Sequence, residues 1–179
     1  KTDASEIELS VDVCAHAGIE RVEIRNGIQL IETIRPYTQA DLGSRVRVLW
    51  SGAEYRGRGR NTQWIGRVQF SNTTINRFET INQWNPDMLF EQRGSDTIIW
   101  KAVTTGNFMG FDAWLENSAG RMLVSTNLGA LDLDQKDIGL EDTEFEAGGL
   151  NRKITTFRLP DEPLRREINF KRTVALDQD

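Results

Sequence analysis

The sequence predicts an all-β chain folded as an antiparallel β-sandwich of roughly ten strands, in a single domain spanning residues 1–179. Three observations carry this expectation. Apolar and polar residues alternate at a period of two in many short segments, as on half-buried strands whose successive side chains face opposite ways. Clusters of Gly, Asn, Asp and Pro punctuate those segments. No long helical period lies between them, which argues against βαβ units and the parallel sheet they build.

Ile7, Leu9, Val11 and Val13 alternate with Glu6, Glu8, Ser10 and Asp12, the pattern of a half-buried strand. Segments 19–25 and 28–34 flank Asn26-Gly27, a pair suited to the two positive-φ positions of a type I′ turn, so they read as a hairpin. Pro36, Asp41 and Gly43 mark a connection. Val46, Val48 and Trp50 then share one face of a strand over 45–50, and Trp64, Gly66, Val68 and Phe70 share one face of the next. Segment 75–81 is a polar strand rich in β-branched residues. Asn85-Pro86-Asp87 has the cap, first-position Pro and early acid of a helix start, limited to about two turns by Gly94. Strands resume at 97–103, 111–116 and 121–126, and the turn residues 117–120 are expected to join the last two as a hairpin. Segments 143–145, 154–159 and 167–176 complete the set, with Pro160 and Pro163 separating the final pair.

Composition limits the possible functions. A chain of 179 residues with 38 % hydrophobic and 27 % charged residues can bury a sizeable core without disulfides or a structural metal. The net charge of −5 disfavours a general nucleic-acid binder. No apolar run approaches the ~20 residues that span a bilayer, so no membrane partner is expected. One His and one Cys exclude an internal disulfide and a His-rich or Cys-rich metal centre. The sequence starts at Lys1 without the pattern of a secretory leader, which fits a processed product, an excised piece or part of a longer protein.

Four constellations deserve weighing as chemistry. Asp12, Cys14 and His16 share a strand face and have the residue types for thiolate activation, but neighbours on one face lie about 7 Å apart, beyond hydrogen-bond reach. The same three lack the further Cys or His of an ordinary zinc shell, so no metal and no cofactor are expected. The acids Asp132, Asp134, Asp137, Glu141, Asp142, Glu144 and Glu146 begin like a calcium loop. Lys136, Asp137 and Thr143 then stand where an EF-hand needs an oxygen donor, Gly and Glu, leaving a solvated acidic loop or a calcium site between loops. Arg56, Arg58 and Arg60 alternate with Gly57 and Gly59. In an extended chain they project to one side, with Arg67 in the following strand, as an anion-binding or partner-binding set; the alternative is an exposed stretch paired with the chain's own acids. Among five Trp, the strand phases bury Trp50, Trp64 and Trp100. Trp84 and Trp114 remain as the two that would stack on carbohydrate.

Two stretches resemble a known family. Ile19-Glu20-Arg21-Val22-Glu23-Ile24-Arg25-Asn26-Gly27 is one. The other runs from Val48-Leu49-Trp50-Ser51-Gly52-Ala53 through Tyr55-Arg56-Gly57-Arg58-Gly59-Arg60 and Trp64 to Thr104-Thr105-Gly106-Asn107-Phe108. Together they resemble the β-rich C-terminal domain of poorly characterised bacterial PHP-like metal-dependent hydrolases. That family's chemistry uses several His and Asp around metals, and this chain has one His, so no catalytic residue carries over. The resemblance implies a non-catalytic accessory β-sandwich that packs on or positions a separate hydrolase catalytic domain or subunit. The alternative reading is a carbohydrate-binding module. A small hydrolase using the acids of 132–146 is the third.

Overall fold

The structure is a computed structural model that describes residues 6–175. Its strands, in chain order, are β1 (Glu6–Cys14), β2 (Val22–Asn26), β3 (Gln29–Ile34), β4 (Arg45–Ala53), β5 (Thr62–Phe70), β6 (Ile75–Ile81), β7 (Phe90–Arg93), β8 (Thr97–Thr104), β9 (Phe108–Leu115), β10 (Arg121–Thr126), β11 (Gly129–Asp134), β12 (Thr143–Glu146), β13 (Leu150–Leu159) and β14 (Glu167–Ala175). Among the described residues, helix is limited to two short 3₁₀ turns, Gln39–Asp41 and Gln135–Asp137. The expected segment 167–176 is thus seen as β14, with Leu176 outside the described residues.

The chain divides into two compact units. Residues Gln39–Asp161 form the sandwich: one five-stranded antiparallel sheet in the order β11-β10-β5-β8-β7 and a second in the order β12-β13-β4-β9-β6. The described residues up to Thr38, with those from Glu162 on, form the other unit. It holds two antiparallel ribbons, β1-β14 and β2-β3. The ten sandwich strands therefore lie within Gln39–Asp161 and do not extend over the whole chain.

The sandwich core follows from the period-two phases. Val46, Val48 and Trp50 point inward from β4, Trp64, Val68 and Phe70 from β5, and Ile98, Trp100 and Ala102 from β8; all are buried. Trp50 belongs to one sheet and Trp100 to the other. Their rings stack with centroids 4.6 Å apart and planes within 4°. Phe111 and Phe90 tilt against Trp50 at 6.3 and 5.7 Å. Gly66, opposite Trp100 in the β5–β8 ladder, makes room: a Cβ there would meet Trp100 Cζ2 at 2.3 Å. Trp64 donates its indole N–H to Thr104 Oγ1 at 2.9 Å, and that hydroxyl donates to the Gly52 carbonyl at 2.7 Å.

One ionised group closes the end of the sandwich where β4 begins. Arg158 lies opposite Val46 in the β13–β4 ladder and is buried. It donates to the carbonyls of Ile138 (3.0 Å), Gly43 (3.2 Å) and Gln135 (2.8 Å). Burial pushes its pKa down from the ordinary guanidinium value, and Asp161 opposes that shift. The three carbonyls belong to two connections, Gly43 to the one before β4 and Gln135 and Ile138 to the one between β11 and β12, so one side chain fastens two loops to β13.

Several local expectations change in three dimensions. The β2–β3 hairpin forms, but Asn26 pairs with Gln29, so Gly27 and Ile28 make the turn. Gly27 has φ +59° and Asn26 does not have positive φ, the pattern of a type II′ turn with Gly in first place. The ladder also shifts register between Ile24 and Arg25. The expected helix at Asn85 is a single turn. Asn85 Oδ1 accepts the Asp87 N–H at 3.0 Å, as a cap does, but Phe90 is drawn into β7 and the aromatic core. Residues 117–120 do not join a hairpin: β9 pairs with β4 and β6, whereas β10 pairs with β5 and β11, so the loop crosses between sheets. Asp132 and Asp134 lie in β11, not in a loop.

Two stability measurements check this picture. Gly66→Ala should lower stability by about 1–3 kcal/mol in denaturant melts, because the new methyl overpacks the Trp100 ring. Gly27→Val should weaken the β2–β3 ribbon by about 1–2 kcal/mol, read as lost amide-exchange protection confined to that ribbon, because a β-branched residue resists positive φ.

Candidate functional site

The register of the sandwich brings five connections to one end. Ala53 stands opposite Leu150, Ser51 opposite Phe108, Thr62 opposite Thr104, and Thr126 opposite Gly129. The loops 54–61, 105–107, 127–128 and 147–149 therefore emerge together, and the loop after Ile81, opposite Gly110, joins them. Asn82 fixes that last loop by donating its side-chain N–H to the Phe108 carbonyl at 3.2 Å. The Thr-Thr-Gly-Asn turn is locked by Asn107 Oδ1, which accepts the Thr105 N–H at 2.8 Å. Reciprocal bonds between Gly52 and residues 106–107, each 3.1 Å, hold this turn to the end of β4.

This end carries most of the sandwich's exposed large apolar side chains. Tyr55 is 59 % exposed, Trp84 62 %, Phe108 45 % and Leu150 38 %. Interleaved with them are Arg56, Arg58 and Arg60, all exposed. The Arg-Gly stretch is a bent loop with Gly57 at φ +90°, not the extended segment expected. Its neck is closed by the Glu54 N–H donating to the Arg60 carbonyl at 3.2 Å. None of the three guanidiniums makes an ion pair or hydrogen bond with another described residue. Several other arginines of the sandwich are engaged: Arg45 and Arg47 clasp Asp112 (2.5 and 2.6 Å), and Arg121 meets Asp132 (2.9 Å), whereas Arg67, like the loop arginines, makes no ion pair or side-chain hydrogen bond with another described residue. Pairing with the chain's own acids thus accounts for those arginines and not for the loop.

Beside the loop is a polar pocket of about 310 Å³ lined by Glu54, Asn61, Thr62, Gln63, Asn127, Leu128 and Arg152. Tyr55 donates its O–H to Glu54 Oε1 at 2.8 Å. That bond, with the carboxylate's charge, holds the phenol's pKa above its ordinary value, and Arg152 pulls the other way. Sequence reasoning missed this pocket because its residues come from two separate connections and from the strands β5 and β13. The Arg-Gly run was the only local signal pointing to it.

The other expected site residues are dispersed. Arg67 sits five residues into β5, about 16 Å of strand from the loop. There it lines a shallow apolar groove with Ile65, Leu89, Ile99 and Ser125. Trp114 is half-buried between its cross-strand neighbours, with the Arg45 and Arg77 guanidiniums 4.8 and 4.5 Å from its ring centre. Four register positions, about 13 Å of strand, separate it from Ile81, where the loop carrying Trp84 begins. The structure does not bring these two Trp together.

Cys14 is exposed, its thiol 3.9 Å from Glu167 Oε1, and His16 lies past the end of β1. In the acidic stretch, Asp134 caps the 3₁₀ turn through the Lys136 N–H, which lowers its pKa, and Glu144 meets Lys153 at 2.5 Å. Among the described residues, no group of three or more His, Cys, Asp and Glu is placed to hold a metal ion. No helix there is long and apolar enough to cross a membrane. Comparison with protein-family models, curated proteins and solved structures finds no match to the chain.

The Tyr55–Glu54 bond gives a spectroscopic check. The chain has two tyrosines. An ultraviolet pH titration should show Tyr55 ionising above the free-phenol range. Glu54→Gln should move its midpoint down, because removing the negative charge makes the phenolate less unfavourable. An unchanged curve would mean that the bond does not persist in solution.

Proposed function

We propose that this chain is a non-catalytic accessory module that docks its loop end on an acidic surface of a neighbouring protein. The partner fitting the sequence resemblance is a hydrolase catalytic domain or subunit. The observation that carries the proposal is the set Arg56, Arg58 and Arg60, which make no ion pair or hydrogen bond with another described residue in a chain with 27 acidic and 22 basic residues. Cations that ignore an excess of local acids are available to an external anion. Trp84 and Phe108 on the same end supply the aromatic component typical of protein interfaces, where Trp and Arg are among the residues that dominate binding energy. The carboxylate-hydrolase reading has less support. Asp132 is paired with Arg121, Asp134 with Lys136 and Glu144 with Lys153, which leaves these three acids committed to local partners.

Changing Arg56, Arg58 and Arg60 together to Ala should abolish co-purification with a separately expressed catalytic domain while leaving the melting midpoint unchanged. Each desolvated pair lost should cost about 2–5 kcal/mol, because the partner's carboxylate is left unpaired. The wild-type association should weaken with added salt in proportion to how exposed the contacts are. Equal recovery of both proteins at low and high salt would overturn the proposal.

A further inference from the structure

The polar pocket beside the Arg-Gly loop has a donor and acceptor set unlike that of the loop itself. Glu54 and Arg152 both line it, yet they form no salt bridge with each other. Glu54 uses one carboxylate oxygen for Tyr55, and Arg152 uses Nε for the Gly148 carbonyl at 3.4 Å. The Asn61 and Gln63 side chains bond to no described residue. Asn127, by contrast, is part of the wall: its Oδ1 accepts the Ile65 N–H at 2.8 Å and its Nδ2 donates to the Gln63 carbonyl at 3.1 Å. One negative and one positive group cancel, so the pocket favours no net charge. Amides offer both a carbonyl acceptor and N–H donors, which matches hydroxyl groups that donate and accept at once. A carboxylate oxygen and a guanidinium at separate points of the wall suit the same ligand, the first taking a hydroxyl proton and the second donating to a ring or hydroxyl oxygen. Tyr55 does not line the pocket, but its O–H bond to the lining residue Glu54 ties down its exposed ring, whose flat face suits the C–H face of a pyranose.

We propose that this pocket binds a neutral saccharide unit, independently of partner docking by Arg56, Arg58 and Arg60. It is a different carbohydrate site from a Trp84–Trp114 platform, and Tyr55 supplies the ring.

The test uses the full chain, titrated calorimetrically and by ligand-observed NMR against neutral monosaccharides and soluble neutral oligosaccharides. Uronates, sugar phosphates and free amino acids serve as anionic and zwitterionic comparisons. At least one neutral saccharide should bind saturably. Glu54→Gln and Asn61→Ala should each weaken it by about tenfold, as expected for one hydrogen bond lost to a ligand. The triple Arg-to-Ala variant should bind it unchanged, which separates this proposal from the docking one. Gln63→Ala, at an exposed position, provides a further variant should either of the others lower the melting midpoint. The proposal is overturned if no neutral saccharide binds, if the pocket variants bind as wild type does, or if the anionic or zwitterionic compounds bind in preference.

Discussion

The sandwich depends on the contact between Trp50 and Trp100. Each ring comes from a different sheet, so the stack sets the spacing and register of the two layers at their centre. The stack has a polar cost, because both indole N–H groups are buried without a partner among the described residues. An unmade hydrogen bond costs about 1–3 kcal/mol. A buried Trp removes roughly 150–250 Å² from water, about 4–6 kcal/mol as an upper estimate. Burial wins for each ring, and Gly66 is the concession that lets the Trp100 ring lie against the sheet.

The core was legible in the sequence for a simple physical reason. A period of two maps directly onto the two faces of a strand, so the inward phases of Trp50, Trp64 and Trp100 could be read without knowing which strands pair. Pairing is nonlocal, and there legibility ended. Residues 117–120 carry a sound turn signal, yet nothing in Asn, Ser, Ala and Gly states whether the chain stays in its sheet or crosses to the other. Strands β7 and β11 escaped notice because Phe90 follows a cap-like Asn-Pro-Asp and β11 alternates with aspartates that look like a loop. Trp114 points away from the core, but Arg45 and Arg77 from the adjoining strands cover it.

The candidate site divides the same way. The Arg-Gly run is contiguous and could be seen in one dimension. The pocket draws Glu54 and Asn61 from one loop, Asn127 from a second and Arg152 from the start of β13, and no spacing rule connects them. Register also separates the loop arginines from Arg45 and Arg47. Arg45 and Arg47 sit opposite Trp114 and Asp112, so strand pairing delivers a carboxylate to both. Arg56, Arg58 and Arg60 lie where the ladder has ended, and no partner is delivered to them.

The Arg158 clasp makes the two ends of the sandwich unequal. At its end, two connections are held by carbonyls committed to a buried guanidinium, and lengthening either would pull an ionised group off its acceptors. At the opposite end the 54–61 loop is pinched at its neck by a single backbone bond, and its glycines have nothing packed against them. Tolerance to inserted sequence should therefore be polarised along the molecule. The Arg-Gly loop is the natural graft point for a tag or foreign epitope, and a lineage carrying this fold could vary its recognition surface there while the clasped end stays constant in length.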